Sequence, residues 1–241
     1  MTRQRPRSGG SVAEEDESGE DEQTPLEALG ILASQTATIA PGLDHLEAYT
    51  IEGLLTVMWH GPSEAEQVVA MVGGAMGGLL GAGGLYHEIG VALADMGIGV
   101  LRVGYRRPND LDLCTHDLLA AMELAARHGA RRFVTVGHSF GGAVAIRAAS
   151  RLTDTAAPGV VTLATQSAGC EPAEELVNRR LLFIHGDHDQ ILPHQSSEMV
   201  RFLAGTGELM IIPGGDHLLA GARDEIRERL LAWIPEVLAG D

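Results

Sequence analysis

Short apolar runs rich in Val, Ile and Leu alternate with longer amphipathic stretches from residue 46 onward, and Gly, Pro, Asn or Asp separates most of them. Continuous apolar runs of this length are typical of strands buried on both faces. They predict strands at 46–59 (two strands with a turn at Gly53), 67–72, 99–105, 132–138, 159–164, 180–185 and 208–212. Apolar residues three or four apart predict helices at 86–96, 110–128, 142–150, 197–203 and 224–238, and shorter ones at 25–33 and 171–177. We expect Pro235 to kink or interrupt the last helix.

This alternation of strands and helices determines the predicted fold class. A helix between two strands brings the second strand back parallel to the first, so the chain predicts an α/β fold. Its central sheet should be mainly parallel, with helices on both faces. Residues 25–241 are enough for one domain of this kind. Because ligands of such sheets bind beyond the carboxyl ends of the strands, the functional residues are expected in the loops that follow them.

Residues 1–24 differ in composition from the rest of the chain. Arg3, Arg5 and Arg7 precede two blocks of Glu and Asp, at 14–17 and 20–22. Such a segment has almost nothing apolar to bury, and we predict a disordered acidic tail. We interpret it as a solvated extension, and an interaction segment is the alternative.

Composition and charge narrow the classes of partner. Apolar residues make up 45% of the chain, enough for a full core, and the formal net charge is −16. This charge argues against nucleic acid and anionic membranes as partners. No apolar run is unbroken for long enough to span a bilayer, no secretory signal follows Met1, and two cysteines do not make a disulfide framework. We therefore expect a cytoplasmic protein.

The strand predicted at 132–138 runs into a Gly-x-Ser-x-Gly pentapeptide at 137–141, and a helix of small residues follows. This arrangement forces Ser139 into a strained backbone conformation with its hydroxyl exposed beyond the sheet. Gly137 and Gly141 are needed because a Cβ at either position would collide with the neighbouring strand and helix. The pattern indicates a nucleophilic serine at a helix N-terminus, where negative charge is favoured.

A serine nucleophile needs an adjacent base, and the base needs a carboxylate to orient it. Two later loops, 185–193 and 213–219, follow predicted strands and offer both groups. Their candidate side chains are His185, Asp187, His188, Asp189, Asp216 and His217. The first loop, with His194 nearby, is also rich in metal-ligand types, which is an alternative interpretation. Its Gly and Pro favour the catalytic role, and we predict neither a metal nor another cofactor.

From about Glu52 to the C-terminus, the sequence resembles the α/β-hydrolases. Three motifs in the family's order carry the resemblance: Gly-x-Ser-x-Gly at 137–141, His-Gly-x-x-Asp-x-x-x-Pro at 185–193 and Gly-x-x-His at 214–217. The resemblance implies Ser139 as nucleophile, Asp189 as orienting acid and His217 as general base. Asp187 is the competing acid, but members of the family usually place the acid three residues beyond the loop glycine.

The resemblance also implies two backbone N–H donors for an oxyanion, one from Phe140 and one from the glycine-rich loop 73–84. The second donor is expected at Gly74 or Ala75. Many relatives have a His-Gly pair where this chain reads Val72-Gly73, so a side chain that braces the loop is missing here. The rival interpretation of the loop is a dinucleotide phosphate cradle, but its Gly-x-Gly-x-x-Gly pattern would require glycine in place of Tyr86.

Only residues 165–179 separate two of the predicted strands, which is too short for a cap domain. The resemblance therefore points to the compact dienelactone-hydrolase-like and small carboxylesterase branches, and to a small acyl substrate. Candidate apolar wall residues are Met76, Leu79, Leu80, Leu85, Phe140 and Leu192. We expect a serine hydrolase that cleaves a small carboxylic ester through an acyl-enzyme. The alternatives are a thioesterase, amidase or peptidase with the same residues, or a non-catalytic binding protein.

Overall fold

The computed structural model describes residues 23–240. The acidic tail predicted at 1–24 lies outside the described residues, apart from its last two positions. Of these, Thr24 caps the first helix, α1 (Pro25–Ala28), and its hydroxyl accepts a hydrogen bond from the Glu27 N–H. The Glu27 side chain accepts from the Thr24 N–H in return, so α1 starts at a complete capping box.

The described residues form one sheet of nine strands in the order β1-β2-β3-β5-β4-β6-β7-β8-β9. The strands are β1 Ile31–Ala40, β2 Leu43–Thr50, β3 Gly53–His60, β4 Gln67–Val72, β5 Gly99–Gly104, β6 Arg132–His138, β7 Gly159–Leu163, β8 Arg180–Gly186 and β9 Glu208–Ile212. The first three strands pair antiparallel with one another and β3 pairs antiparallel with β5. All pairings from β5 through β9 are parallel, as predicted.

Helices cover both faces of the sheet. They are α2 Leu85–Asp95, α3 Leu111–Arg127, α4 Phe140–Ser150, α5 Gln195–Ala204 and α6 Arg223–Ala239. Alternate residues of β4 enter different cores: Val69 and Met71 pack with α2 and α6, whereas Val68 and Ala70 pack with α3 and α4. The side chains of residues 68–72 are therefore completely buried on both faces, which explains the continuous apolar run in the sequence.

Two predicted helices differ from the structure. The helix expected at 25–33 ends after one turn, and the chain continues as β1. All ten residues of β1 are exposed, so this strand carries no alternation of buried and exposed positions from which it could be predicted. The last helix, α6, continues through Pro235 to Ala239 without interruption. Trp233 and Val237 are buried against the core on either side of the proline and hold the helix in place.

No cap domain covers the carboxyl end of the sheet in the described chain. Between β7 and β8 there is only a single short 3₁₀ segment, Glu171–Leu176, which packs against α4 and α5. Cys170, which directly precedes this segment, is completely buried, and its thiol donates to the Gln166 carbonyl at 3.1 Å. Within residues 23–240, none of the helices is long and apolar enough to cross a membrane.

Candidate active site

Ser139 lies on the sharp turn between β6 and α4. Its φ of +57° and ψ of −121° are a strained conformation for a residue with a side chain. A Cβ on Gly137 would lie 1.9 Å from the Gly141 carbonyl oxygen, and a Cβ on Gly141 would lie 2.3 Å from the Gly73 carbonyl oxygen. These obstacles are backbone atoms that cannot rotate away, so the two glycines are required, as the pentapeptide predicted.

Ser139, His217 and Asp189 form a continuous hydrogen-bonded series. The Ser139 hydroxyl donates to His217 Nε2 at 3.0 Å, and His217 Nδ1 donates to Asp189 Oδ2 at 2.7 Å. The three side chains follow β6, β9 and β8, whose carboxyl ends lie at the same edge of the sheet. The Asp189 side chain is completely buried, and the His217 side chain is 16% exposed. The imidazole can thus contact both protein and an incoming ligand.

Four donors surround the Asp189 carboxylate. Oδ1 accepts from the N–H groups of Ile191 and Leu192 at 2.8 and 2.9 Å, and Oδ2 accepts from His217 and, at 3.1 Å, from His185 Nε2. Burial raises the pKa of this carboxyl, but the hydrogen bonds from Leu192, His217 and Ile191 outweigh that effect and bring the pKa below its usual value. Asp189 therefore remains ionised at neutral pH.

The two neighbouring aspartates have other contacts. Asp187 Oδ1 accepts from the Gly214 N–H at 2.6 Å and so ties together the loops that follow β8 and β9. Asp216 Oδ1 accepts from the Ala220 N–H at 3.3 Å and supports the turn beyond His217. The structure thus brings Asp189, and neither of its rivals, to His217.

His138 holds the loop that carries His217. This side chain is nearly completely buried, and its Nε2 donates to the His217 carbonyl oxygen at 2.9 Å. Burial lowers the pKa of His138, so it is neutral at physiological pH. Its contact is therefore structural, and it fixes the backbone from which the imidazole of His217 projects.

The glycine-rich loop lies directly against Ser139. A Cβ built on Gly74 would be 3.5 Å from the Cβ of Ser139. In the described part of the chain, the N–H groups of Gly74, Ala75 and Phe140 donate to no protein acceptor. Phe140 is also the first residue of α4, where free N–H groups attract negative charge. All three N–H groups predicted as oxyanion donors are thus close to Ser139 in the chain or in space, and none is already engaged.

Two buried tyrosines and an arginine brace this loop, and no sequence motif indicates this role for them. The Tyr86 hydroxyl donates to the Val72 carbonyl and the Tyr105 hydroxyl to the Gly73 carbonyl, both at 2.9 Å. Arg102 Nη1 donates to the Leu79 carbonyl at 3.2 Å. These contacts come from α2 and from β5 or its end, and they fix the loop although no His-Gly pair is present at 72–73. In the sequence, Val72 in place of the histidine was the one indication that other side chains must hold the loop.

An open groove of about 460 Å³ leads to Ser139 and His217. The large apolar side chains at its rim are strongly exposed: Met76 93%, Ile191 69%, Leu80 63% and Leu218 52%. Met76, Leu79 and Leu80 line the groove as expected, whereas Leu85 is completely buried in the core beneath α2. Leu192 and Phe140 are absent from the lining as well, and Ile191 and Leu218 take their place.

The residues that line this groove carry little charge. Apart from His138 and His217, none of them is titratable, and none is Arg or Lys. His185 and His194, which raised the possibility of a metal, contact Asp189 and Glu198 respectively. Among residues 23–240, no group of three or more His, Cys, Asp or Glu side chains is arranged to hold a metal ion. The site as described is an alcohol, an imidazole and a carboxylate beside an apolar groove.

Solved structures of other proteins share this architecture at low sequence identity. Est1E from Butyrivibrio proteoclasticus superposes with a TM-score of 0.69 at 16% identity, over 81% of this chain and 99% of its own. Dienelactone hydrolase from Anabaena variabilis gives 0.67 at 18% identity, over 84% and 98%. The esterase EaEST from Exiguobacterium antarcticum gives 0.60 at 12% identity, over 76% and 96%. At these identities the likeness is one of fold.

The sequence itself matches a known family over most of the described chain. No curated protein matches it significantly. The model of a family described as "Alpha/beta hydrolase family", however, matches residues 75–229, which include Ser139, Asp189 and His217. The three motif loops and the glycine-rich loop all lie within that match, apart from Gly73 and Gly74. The chain belongs to the alpha/beta hydrolase family.

Proposed function

We propose that this protein is a serine esterase that cleaves a small, uncharged carboxylic ester. The observation that carries the proposal is the series from the Ser139 hydroxyl through His217 to Asp189, at 3.0 and 2.7 Å, at the end of an open groove. Both distances are within hydrogen-bonding range before any substrate is present. Family membership supports hydrolase activity.

In the proposed reaction, the Ser139 oxygen attacks the ester carbonyl carbon while its proton passes to His217 Nε2. Asp189 holds the imidazole in the tautomer with the proton on Nδ1 and stabilises the imidazolium that forms. The imidazolium then gives its proton to the leaving alcohol, and an acyl-enzyme remains on Ser139. Water, deprotonated by the same imidazole, releases the acid and restores the serine.

The tetrahedral intermediate carries a negative oxygen that needs donors. The Phe140 N–H at the start of α4 and the N–H of Gly74 or Ala75 are the candidates, because none of them is engaged in the described chain. Loss of one such donor typically costs about two to three orders of magnitude in kcat. The carbonyls of Val72 and Gly73 accept hydrogen bonds from Tyr86 and Tyr105. These contacts support a loop that is preorganised to bind the oxyanion.

The groove favours an apolar, neutral substrate. Met76, Leu80, Ile191 and Leu218 offer apolar contact, and no lining residue is an Arg or Lys that could hold a carboxylate or phosphate. Est1E, which has also been solved with ferulic acid bound, resembles this chain with a TM-score of 0.65 at 17% identity. An ester of an aromatic acid is therefore a reasonable member of a test panel.

Labelling with a fluorophosphonate tests the proposed nucleophile. We expect the probe to modify the peptide that contains Ser139, and Ser139→Ala and His217→Ala to abolish labelling. Asp189→Asn should lower kcat by about four orders of magnitude because the imidazole adopts the wrong tautomer. An absence of labelling in the folded wild-type protein would favour a non-catalytic binding protein. Labelling that persists in Ser139→Ala would reject the assignment.

A substrate panel separates esters from the alternatives. It contains p-nitrophenyl acetate, butyrate and octanoate, methyl ferulate, an acyl-thioester and an anilide. The proposal predicts the highest kcat/KM on a neutral ester, and little turnover of an ester that carries a carboxylate near the scissile bond. Preference for the thioester or the anilide by more than tenfold would replace the esterase with a thioesterase or amidase.

A further inference from the structure

His185, near the carboxyl end of β8, contacts the carboxylate of Asp189 in the loop that follows the strand. Its side chain is completely buried, and its Nε2 lies 3.1 Å from Asp189 Oδ2 and 3.1 Å from the Leu192 carbonyl oxygen. On the other side of the ring, Nδ1 lies 2.7 Å from the Ser197 hydroxyl of α5. Asp189 Oδ2 is thus shared by two imidazoles, His217 and His185.

The surroundings of His185 determine its tautomer. Both oxygens near Nε2 are acceptors, because Asp189 is ionised and a carbonyl has no proton, so Nε2 must carry the hydrogen. Burial lowers the pKa of His185, which keeps the ring neutral. Nδ1 then accepts the hydrogen of the buried Ser197 hydroxyl. Nε2 thus faces only acceptors and Nδ1 faces a donor. The neutral Nε2–H tautomer is the one that satisfies both nitrogens.

We propose that His185 is a positioning residue that acts through Asp189. By donating to the same Oδ2 that accepts from His217, it fixes the rotation of the carboxylate and withdraws part of its negative charge from the His217 contact. His185 thereby sets how strongly Asp189 stabilises the imidazolium. The proposal rests on the proposed function, because it concerns the same hydrogen-bonded series.

The groups that face His185 are few. From the loop after β8 they are Asp189 and the Leu192 carbonyl, from the loop after β9 it is His217, and from α5 it is Ser197. His138, the last residue of β6, is the other titratable group whose charge interacts with the ring. Since His138 and His185 are both neutral at pH 7, the Asp189 carboxylate is the one charged group that His185 contacts.

Two substitutions of similar size separate positioning from packing. The side-chain amide of His185→Gln can place an N–H where Nε2 lies, whereas the shorter amide of His185→Asn replaces Nδ1 and leaves Asp189 without this donor. We expect His185→Gln to retain kcat within about threefold. His185→Asn should lose on the order of tenfold in kcat, as when other groups that orient a functional side chain lose their partner.

The pH dependence of kcat/KM tests the role of His185 further, because the loss of a residue that only fills space would not shift it. Without the donor from His185, more negative charge remains on Oδ2, and the imidazolium is stabilised more strongly. The acidic limb of kcat/KM should therefore move to higher pH by about half a unit in His185→Asn and stay in place in His185→Gln. Each rate is divided by the fraction of active sites, titrated with the fluorophosphonate.

The outcomes distinguish this proposal from the proposed function. If the wild-type protein is labelled and turns over esters, but both variants have the same kcat per active site and an unmoved acidic limb, His185 only fills space and the proposal is overturned. If the wild-type protein itself neither reacts nor turns over, the proposed function fails instead.

A second measurement needs neither activity nor a variant that folds. In ¹⁵N-detected histidine spectra of the wild-type protein, His185 should be the neutral Nε2–H tautomer at pH 8 and at pH 7. A protonated ring or the Nδ1–H tautomer at pH 7 would overturn the proposal.

Discussion

The strained backbone at Ser139 predicts that glycine at this position is more stable than alanine. Its φ of +57° is unfavourable for every residue with a Cβ, and glycine is the exception. Ser139→Ala and Ser139→Gly both lose the hydroxyl and its contact with His217. The difference between them therefore reports the cost of holding a Cβ in this conformation.

The expected magnitude follows from two opposing effects. A conformation of this kind costs a residue with a side chain about 1–3 kcal/mol. Glycine relieves this cost, but it loses about 0.5–1 kcal/mol more than alanine in backbone entropy on folding. Ser139→Gly should thus be about 1 kcal/mol more stable than Ser139→Ala. For a chain of this size, that difference corresponds to a rise in Tm of about 2–4 °C.

Thermal and urea unfolding of the two variants measure this difference. Ala232→Gly serves as the control, because Ala232 is exposed in the middle of α6 and helical glycine there should cost about 1 kcal/mol. The same exchange of alanine for glycine thus has opposite signs at the two positions. If Ser139→Gly is no more stable than Ser139→Ala, the turn is not strained and the argument for the glycine neighbours weakens with it.

Other positions allow predictions of the same kind. Gly141→Ala should lower the free energy of unfolding by about 3 kcal/mol, because its Cβ would lie 2.3 Å from the Gly73 carbonyl oxygen; a loss below about 1 kcal/mol in urea would contradict the geometry. Asp117→Ala should cost about 3–5 kcal/mol, since Arg106 and Asp117 form an ion pair with both side chains completely buried; a near-neutral result in urea unfolding would show that Arg106 finds another partner. Burial lowers the pKa of His60 from 6.5 to about 4, so only the unfolded chain takes up this proton as the pH falls below 6.5. Stability should therefore drop between pH 7 and pH 5 by about 2 kcal/mol more in the wild type than in His60→Gln, and parallel pH curves would refute this.

Much of the parallel part of the fold could be predicted from the sequence. The bounds of β4 and β9 agree with the apolar runs at 67–72 and 208–212, because strands buried on both faces or bounded by Gly and Pro leave a clear local pattern. The sharp turn at Ser139 could also be predicted from the local sequence. The turn needs glycine at 137 and 141 for steric reasons that act within a few residues of chain.

The features that the sequence did not reveal depend on contacts between distant segments. β1 is exposed along its whole length, so its partner β2 and not its own pattern makes it a strand. Leu85 looked like a wall residue because it follows the glycine-rich loop, but the first turn of α2 points it into the core. Tyr86 and Tyr105 brace carbonyls 14 and 32 residues away in sequence, and no local motif encodes such a contact.

The position of the last strand determines when the hydroxyl and the imidazole can meet during folding. Ser139 follows β6 in the middle of the sheet, whereas His217 follows β9, which forms the outer edge and is the last strand of the described chain. A parallel strand can pair only after its crossover has brought the chain back across the sheet, so β9 docks late and has no further neighbour to hold it. Regain of turnover after dilution from denaturant should accordingly time the arrival of this final strand. Trp233 contacts Glu208 of β9, so a Trp233→Phe variant is used, in which the fluorescence of Trp59 on β3 times the formation of the central sheet.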